Sequence, residues 1–216
     1  KHLARTFPGG LEGVPLLKAA RGLIFAGLAF PGREEWVVQG FDCVLKELPK
    51  QIFKDGGHAS RSPQLLVETL QIMLDLRCAL YRANLSVPET LQKSIERAGA
   101  ALKFFRYGDR KLALFHGGQA GDVALLDALQ AQVALTGKAE NTLPDSGFER
   151  VALGRSVLLL DTGVIPAKPY DRLYHSAPLA FEFSYGRERI FTNCGSHPAN
   201  ADWQQVLRHT AAHNAL

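Results

Sequence analysis

The stretch PLAFEFSYGRERIFTNCG, Pro178 to Gly195, decides how the second half of this chain is read. Phe181, Phe183 and Tyr185 alternate with Ala180, Glu182 and Ser184, a period of two that puts apolar groups on one face of a strand and polar groups on the other. Gly186-Arg187 interrupts the alternation as a two-residue turn, and Glu188 onward returns as a partner strand. The same grammar occurs upstream. GFERVAL (147–153) and SVLLLDTG (156–163) flank Gly154-Arg155, so a second antiparallel hairpin is predicted there. Before these, KLALF (111–115) is a short strand candidate and DVALLDALQAQV (122–133) a short helix.

Toward the N-terminus the period changes to that of a helix. Val14 to Phe30 is apolar on nearly every side and rich in small residues, as in a helix packed closely all round. Glu34 to Phe53 carries Val37, Phe41, Val44, Leu45 and Leu48 at three- and four-residue spacing, with Pro49 expected to bend or end it early. Ser62-Pro63 is a helix start, serine as cap and proline at the first position. The helix that follows has two apolar stripes, Leu66/Leu70/Met73 and Leu65/Ile72/Leu76/Leu80. A fourth helix runs from Pro88 to Tyr107. Helices first and strands later predict an α+β chain: helical hairpins over 1–108, then an antiparallel β unit over 109–216. Both ends look cut, so the chain reads as a piece of a longer protein.

The composition suits a packed core. Of 216 residues 46% are apolar and 21% charged, and the net charge is +4. The basic residues are scattered, with none of the runs that mark a nucleic-acid arm, so no nucleic-acid partner is expected. No apolar run is long enough to span a bilayer. Cys43, Cys78 and Cys194 form no C-x-x-C pair, and the first two read as small core residues. The chain opens on Lys-His with no signal-peptide pattern, which leaves the compartment open.

No G-x-S-x-G, P-loop, G-x-G-x-x-G or H-E-x-x-H motif is present. FHGGQAGD (115–122) is Gly-rich but has no lysine to hold a phosphate, and reads as a connection. FKDGGHASRSPQLL (53–66) has a Gly-Gly turn, His58 and Arg61 ahead of a helix start. Taken alone, His58, Arg61, Tyr174, His175 and His213 are ordinary loop or rim residues.

Their order is more informative. A helical half with DGGH…RSP, then H…LAFEFSYGRERIFTNCG, then R-x-TAAHN resembles the heparinase II/III-like polysaccharide lyases, most strongly at 55–63, 179–195 and 208–214. The resemblance implies an incomplete α/α toroid followed by an antiparallel β-sandwich, both truncated here, in a divergent bacterial member. It implies β-elimination on uronate-containing acidic polysaccharides, such as glycosaminoglycans or alginate, and a cell-envelope or periplasmic setting, with a cytoplasmic one left open. That chemistry needs the carboxylate neutralised, a base for the C5 proton and an acid for the leaving oxygen.

The family supplies these with an Asn-His pair early in the toroid, a tyrosine in S-P-x-Y-H and the first histidine of H-x-H. Here those positions fall on Val14 and Pro15, on Leu65 (followed by Leu66), and on Leu173. None has a side chain able to carry a proton. The polar groups left as candidate catalytic residues are His58, Tyr174 and His175, with Arg61 to clamp a carboxylate bidentately. The resemblance also implies a divalent metal, zinc or calcium, on His175, Asn193 and His213. Asparagine replaces the usual aspartate there, so binding is expected to be weak or absent. The alternative is a non-catalytic glycan-binding or structural relative. Oligomeric state is not legible.

Overall fold

The computed structural model describes residues 2–134 and 136–215. Six helices come first: α1 (His2–Thr6), α2 (Gly13–Ala29), α3 (Glu34–Gln51), α4 (Pro63–Arg82), α5 (Glu89–Phe104) and α6 (Val123–Val133). Five strands follow, β1 (Thr142–Leu143), β2 (Phe148–Leu153), β3 (Ser156–Asp161), β4 (Phe181–Tyr185) and β5 (Glu188–Phe191), then a short helix α7 (Ala201–Val206). The strands form one antiparallel meander in the order β1-β2-β3-β4-β5. Both predicted hairpins are present, with Leu153 opposite Ser156 and Tyr185 opposite Glu188. This is the helical-plus-antiparallel architecture expected of the α+β class.

Helix α2 packs lengthwise on α3, and α4 lies against α2 and α5. Leu17, Ala20, Ile24, Val44, Leu48, Leu66, Leu70, Met73 and Leu76 are all buried, so both stripes of α4 meet neighbours. Gly27 and Gly40 let α2 and α3 approach. A Cβ on Gly40 would strike Ile24, and one on Gly27 would strike Val37. Helix α6 packs on α4 and α5, so the helical layer extends through Val133.

Several local expectations are corrected. Helix α3 runs two residues past Pro49, to Gln51. Ser62 stands at the N-cap position of α4 but its hydroxyl makes no cap bond. KLALF is no strand; Leu112 makes only an isolated bridge to Arg106. Cys78 is exposed and so is not a core residue, whereas the half-buried Cys43 packs against the core.

Strand β4 turns its polar face inward, on the same side of the sheet as the buried Leu159 and Phe148. Glu182, Ser184 and Asp161 are buried against the helical layer. Val151, Leu158, Phe183 and Phe191 line up across four strands on the opposite face, half-buried or exposed. The buried carboxylate of Glu182 accepts hydrogen bonds from Leu114 N (3.0 Å), Asn193 N (3.1 Å) and Asn193 Nδ2 (3.1 Å). These bonds all fall on one oxygen of Glu182 and offset part of the cost of burying it, while its other oxygen and the Ser184 hydroxyl are buried without a partner. The two layers are joined by an aromatic cluster. Phe104 meets Phe105, Phe105 meets Phe148 and Phe148 meets Phe115, with ring centroids 4.9–5.3 Å apart.

Candidate functional site

Asp55 organises the DGGH loop. One carboxylate oxygen accepts Gly57 N (2.9 Å), and the other accepts both N–H and hydroxyl of Ser146 (2.7 and 2.8 Å) from the β1–β2 loop. Gly56, at φ +86°, has no room for a side chain because the Arg97 carbonyl lies against it. The loop is therefore clamped to both layers, and it delivers His58 and Arg61 to different places.

His58 is buried. Its Nδ1 accepts Ser60 N (3.0 Å), which leaves the proton on Nε2 to donate to Gln51 Oε1 (3.1 Å). Gln51 Nε2 donates to Glu47 Oε1 (3.0 Å), which also accepts the Tyr170 hydroxyl (3.1 Å). Burial pushes the His58 imidazole down to about 3, so it is neutral at pH 7 with both nitrogens engaged. Tyr170 is pushed above the ordinary phenol range, first by burial and then by Glu47. Gln51, Glu47 and Tyr170 were not anticipated. Their i, i+4 spacing on α3 is visible in sequence, but their union with Tyr170 is tertiary.

Arg61 turns the other way. Its Nε donates to Ser146 O (2.8 Å), Nη1 to Val164 O (3.1 Å) and Nη2 to Gly147 O (3.0 Å) and to the Asp161 carboxylate. Four of its five N–H groups are thus committed within the protein. The guanidinium also lies 4.9 Å from the Phe148 ring centroid, and the residue adopts φ +59°. The other oxygen of Asp161 meets His116 Nε2 at 2.6 Å. Burial alone would raise the Asp161 carboxyl, but His116 and Arg61 together hold it below the usual range. Burial pushes His116 down despite that bond, so it donates Nε2–H as a neutral ring. His116 stacks on Tyr174 at 4.5 Å, and its Nδ1 accepts His175 N (3.4 Å). The sequence reading treated His116 as part of a connection; the isolated histidine beside two glycines was the signal it passed over.

His175 and His213 do meet. Nδ1 of His175 lies 3.1 Å from Nε2 of His213, whose Nδ1 faces Asn193 Oδ1 at 3.3 Å. Asn193 therefore orients the far side of His213 rather than facing the gap between the rings, and its Nδ2 is engaged by Glu182. Burial, and then the neighbouring His213, push His175 down to about 3. Two imidazole nitrogens do not make the three-ligand set that zinc takes in proteins. Among the described residues no group of three or more His, Cys, Asp or Glu side chains is placed to hold a metal ion. The donor set does not fit the implied ion.

The candidate residues are thus not gathered in one cleft. A cavity of about 260 Å³ between the layers is lined by His58, Ser60 and Tyr170, and also by Val14, Pro15, Leu65 and Leu173. Arg61 lines a separate cavity, and neither Tyr174 nor His175 lines either one. Leu66 is buried in the helical core while Leu65 is half-buried at the cavity wall. The two cations at this cavity are already paired, Lys18 with Glu68 (2.6 Å) and Arg172 with Glu12 (3.5 Å).

Residues 136–216 match the family model "Heparinase II/III-like, C-terminal". FtsZ-localized protein C of Caulobacter vibrioides (strain NA1000 / CB15N) is 33% identical over 182 residues, 84% of this chain. The chain spans about a third (32%) of that relative's length. Among solved structures, a heparinase III superposes with a TM-score of 0.76 at 16% identity, over 94% of this chain and 38% of the other. A second heparinase III gives 0.77 at 17% identity, over 99% and 38%. Heparan sulfate lyase HepC from Pedobacter heparinus gives 0.74 at 19% identity, over 98% and 38%. Residues 136–216 thus match the heparinase II/III-like C-terminal family model, and nearly the whole chain has the fold of the corresponding part of heparinase III.

Proposed function

We propose that this chain is part of a heparinase II/III-like protein that has lost β-elimination chemistry and serves as a binding scaffold in cell division. One observation carries the first half. Val14, Pro15, Leu65 and Leu173, the positions where the lyase resemblance implies Asn, His, Tyr and His, all line a single cavity. The cleft is kept and every proton-transfer position in it is apolar. Valine, proline and leucine neither take the C5 proton nor protonate a leaving oxygen.

The remaining groups do not substitute for them. His58 reaches the cavity, but its low pKa and two hydrogen bonds make it a weak base. Arg61 is committed to Asp161 and three carbonyls, and the two cavity cations are neutralised by Glu12 and Glu68. Neither arrangement favours a uronate carboxylate. The second half rests on the FtsZ-localized relative, whose likeness extends over most of this chain. A cytoplasmic setting follows from that half of the reading. Among the described residues no helix is long and apolar enough to cross a membrane.

The lyase reading is the alternative, favoured by the likeness to heparan sulfate lyase HepC. The two separate cleanly. The longer protein is incubated with heparan sulfate, alginate and other uronate polysaccharides, and ultraviolet absorbance of the unsaturated product is followed. No rise is expected, and Leu65→Tyr alone is expected to produce none. In cells a fluorescent fusion is expected to collect at the division site. Steady product release that His58→Gln abolishes would overturn the non-catalytic reading. Diffuse fluorescence would overturn the division role.

A further inference from the structure

A further groove, of about 690 Å³, lies where the end of α5, helix α6, the connection at 138–141 and strand β2 come together. It shares no lining residue with the cavity of Val14 and Leu65. Lys103, Arg106, Lys138 and Arg150 line it, and no carboxylate does. Arg106 is balanced by Asp127 (2.6 Å) and Lys103 donates to the Gly137 carbonyl. Lys138 and Arg150 take part in no ion pair among the described residues. Three buried polar atoms of its lining residues lack partners, the Tyr107 hydroxyl, the donor Arg150 Nε and the acceptor Gln130 Oε1. Burial lowers the Arg150 guanidinium, so the site holds a partly desolvated cation with no counter-charge.

Among the described residues, the edge of β2 beyond Arg150 has no strand beside it. Strand β1 covers only Phe148 and Glu149 of the six-residue β2. Arg150 N then donates to Asn141 O (2.8 Å), which marks the side of β2 that faces away from β3. By the two-residue alternation, the N–H and C=O of Ala152 point the same way, beyond the end of β1. Ala152 lines the groove. A ligand that fits this site brings negative charge for Lys138 and Arg150 and a main-chain acceptor for Ala152.

We propose that this groove binds an acidic peptide in extended conformation, which adds beside β2 in line with β1. Main-chain bonds to the strand edge give the register, and acidic side chains meet Arg150 and Lys138. A sulfated glycan would use the cations but not the strand edge, and this difference makes the two distinguishable.

The test is fluorescence anisotropy on the full chain with a fluorescein-labelled nonapeptide of alternating Glu and Val, its Lys-Val counterpart, and a labelled heparin octasaccharide. The acidic peptide is expected to bind and to weaken as salt rises, and the basic one not to bind. Arg150→Gln and Lys138→Gln are each expected to weaken it about tenfold, the effect of one lost charge-assisted hydrogen bond. Lys138 is exposed, so Lys138→Gln keeps the test meaningful if Arg150→Gln folds poorly. Ala152→Pro, which deletes the edge N–H, is expected to weaken the peptide to a similar degree. No saturable binding of the acidic peptide, or binding unchanged in Lys138→Gln and Arg150→Gln, would overturn the proposal. Octasaccharide binding that exceeds peptide binding and ignores Ala152→Pro would assign the groove to a glycan instead.

Discussion

Arg61→Leu tests whether Arg61 holds the two layers together or waits for a substrate. The guanidinium is almost wholly buried and donates to Asp161, Ser146 O, Gly147 O and Val164 O. Removing it leaves the Asp161 carboxylate buried, with His116 as its remaining side-chain partner. Breaking a buried ion pair costs about 3–5 kcal/mol. Val164 is exposed, so its carbonyl regains water, whereas Ser146 is buried and its carbonyl adds about 1 kcal/mol or more. A loss of about 4 kcal/mol or more is expected, close to the whole stability of a marginal domain at about 5 kcal/mol. With a urea slope of about 2 kcal/mol per molar, the midpoint should fall by about 2 M. Lys18→Met, which breaks an exposed pair, is the control and should cost less than about 1 kcal/mol. The double variant with Asp161→Asn should cost much less than the two single changes added, because the partners share one network. A midpoint within about 0.5 M of the parent, about 1 kcal/mol at that slope, would refute the structural role. Loss of glycan affinity at unchanged stability would return Arg61 to the substrate.

Stability should fall with acid in a defined window. His58 and His175 are held neutral down to about 3, while in the unfolded chain histidine takes up a proton near 6.5. The unfolded state therefore binds more protons between about 3 and 6.5, so stability is full above that window and is lost as pH falls through it. The slope for His58 approaches about 1.4 kcal/mol per pH unit. His58→Gln should flatten the dependence of the urea midpoint between pH 6 and 4, and an unchanged slope would show that His58 is not held neutral. Gly56→Ala should destabilise by about 1–3 kcal/mol, because φ is +86° and the Arg97 carbonyl fills the space; an unchanged melting temperature would disprove that. Zinc added to the protein should dialyse away against a chelator, and one retained equivalent by elemental analysis would show that His175 and His213 recruit a third ligand.

Much of the fold was legible in residues close together in the chain. The alternation of Phe181, Phe183 and Tyr185 and the paired glycine turns at 154 and 186 set two hairpins. The double stripe from Leu65 to Leu80 made α4 a helix with neighbours on two sides. These are local signals, because backbone period and turn geometry depend on residues within a few positions of one another. The apolar replacements at Val14, Pro15, Leu65 and Leu173 were also visible once their order suggested a family.

Tertiary structure alone decided where polar groups found partners. Which face of the sheet is buried could not be read from alternation, since Glu182 becomes an inner residue only because Leu114 and Asn193 arrive to donate to it. Asp161 and His116 are 45 residues apart in sequence, and Arg61 lies 100 from Asp161, yet they form one buried cluster. That cluster takes the arginine that a sequence reader assigns to a substrate. His58 lies only three positions from Arg61 but lines a different cavity, because the clamped loop turns the two side chains apart. Hydrogen-bond satisfaction is a property of the whole packed chain, so it fixes the fate of such residues only after the fold has closed.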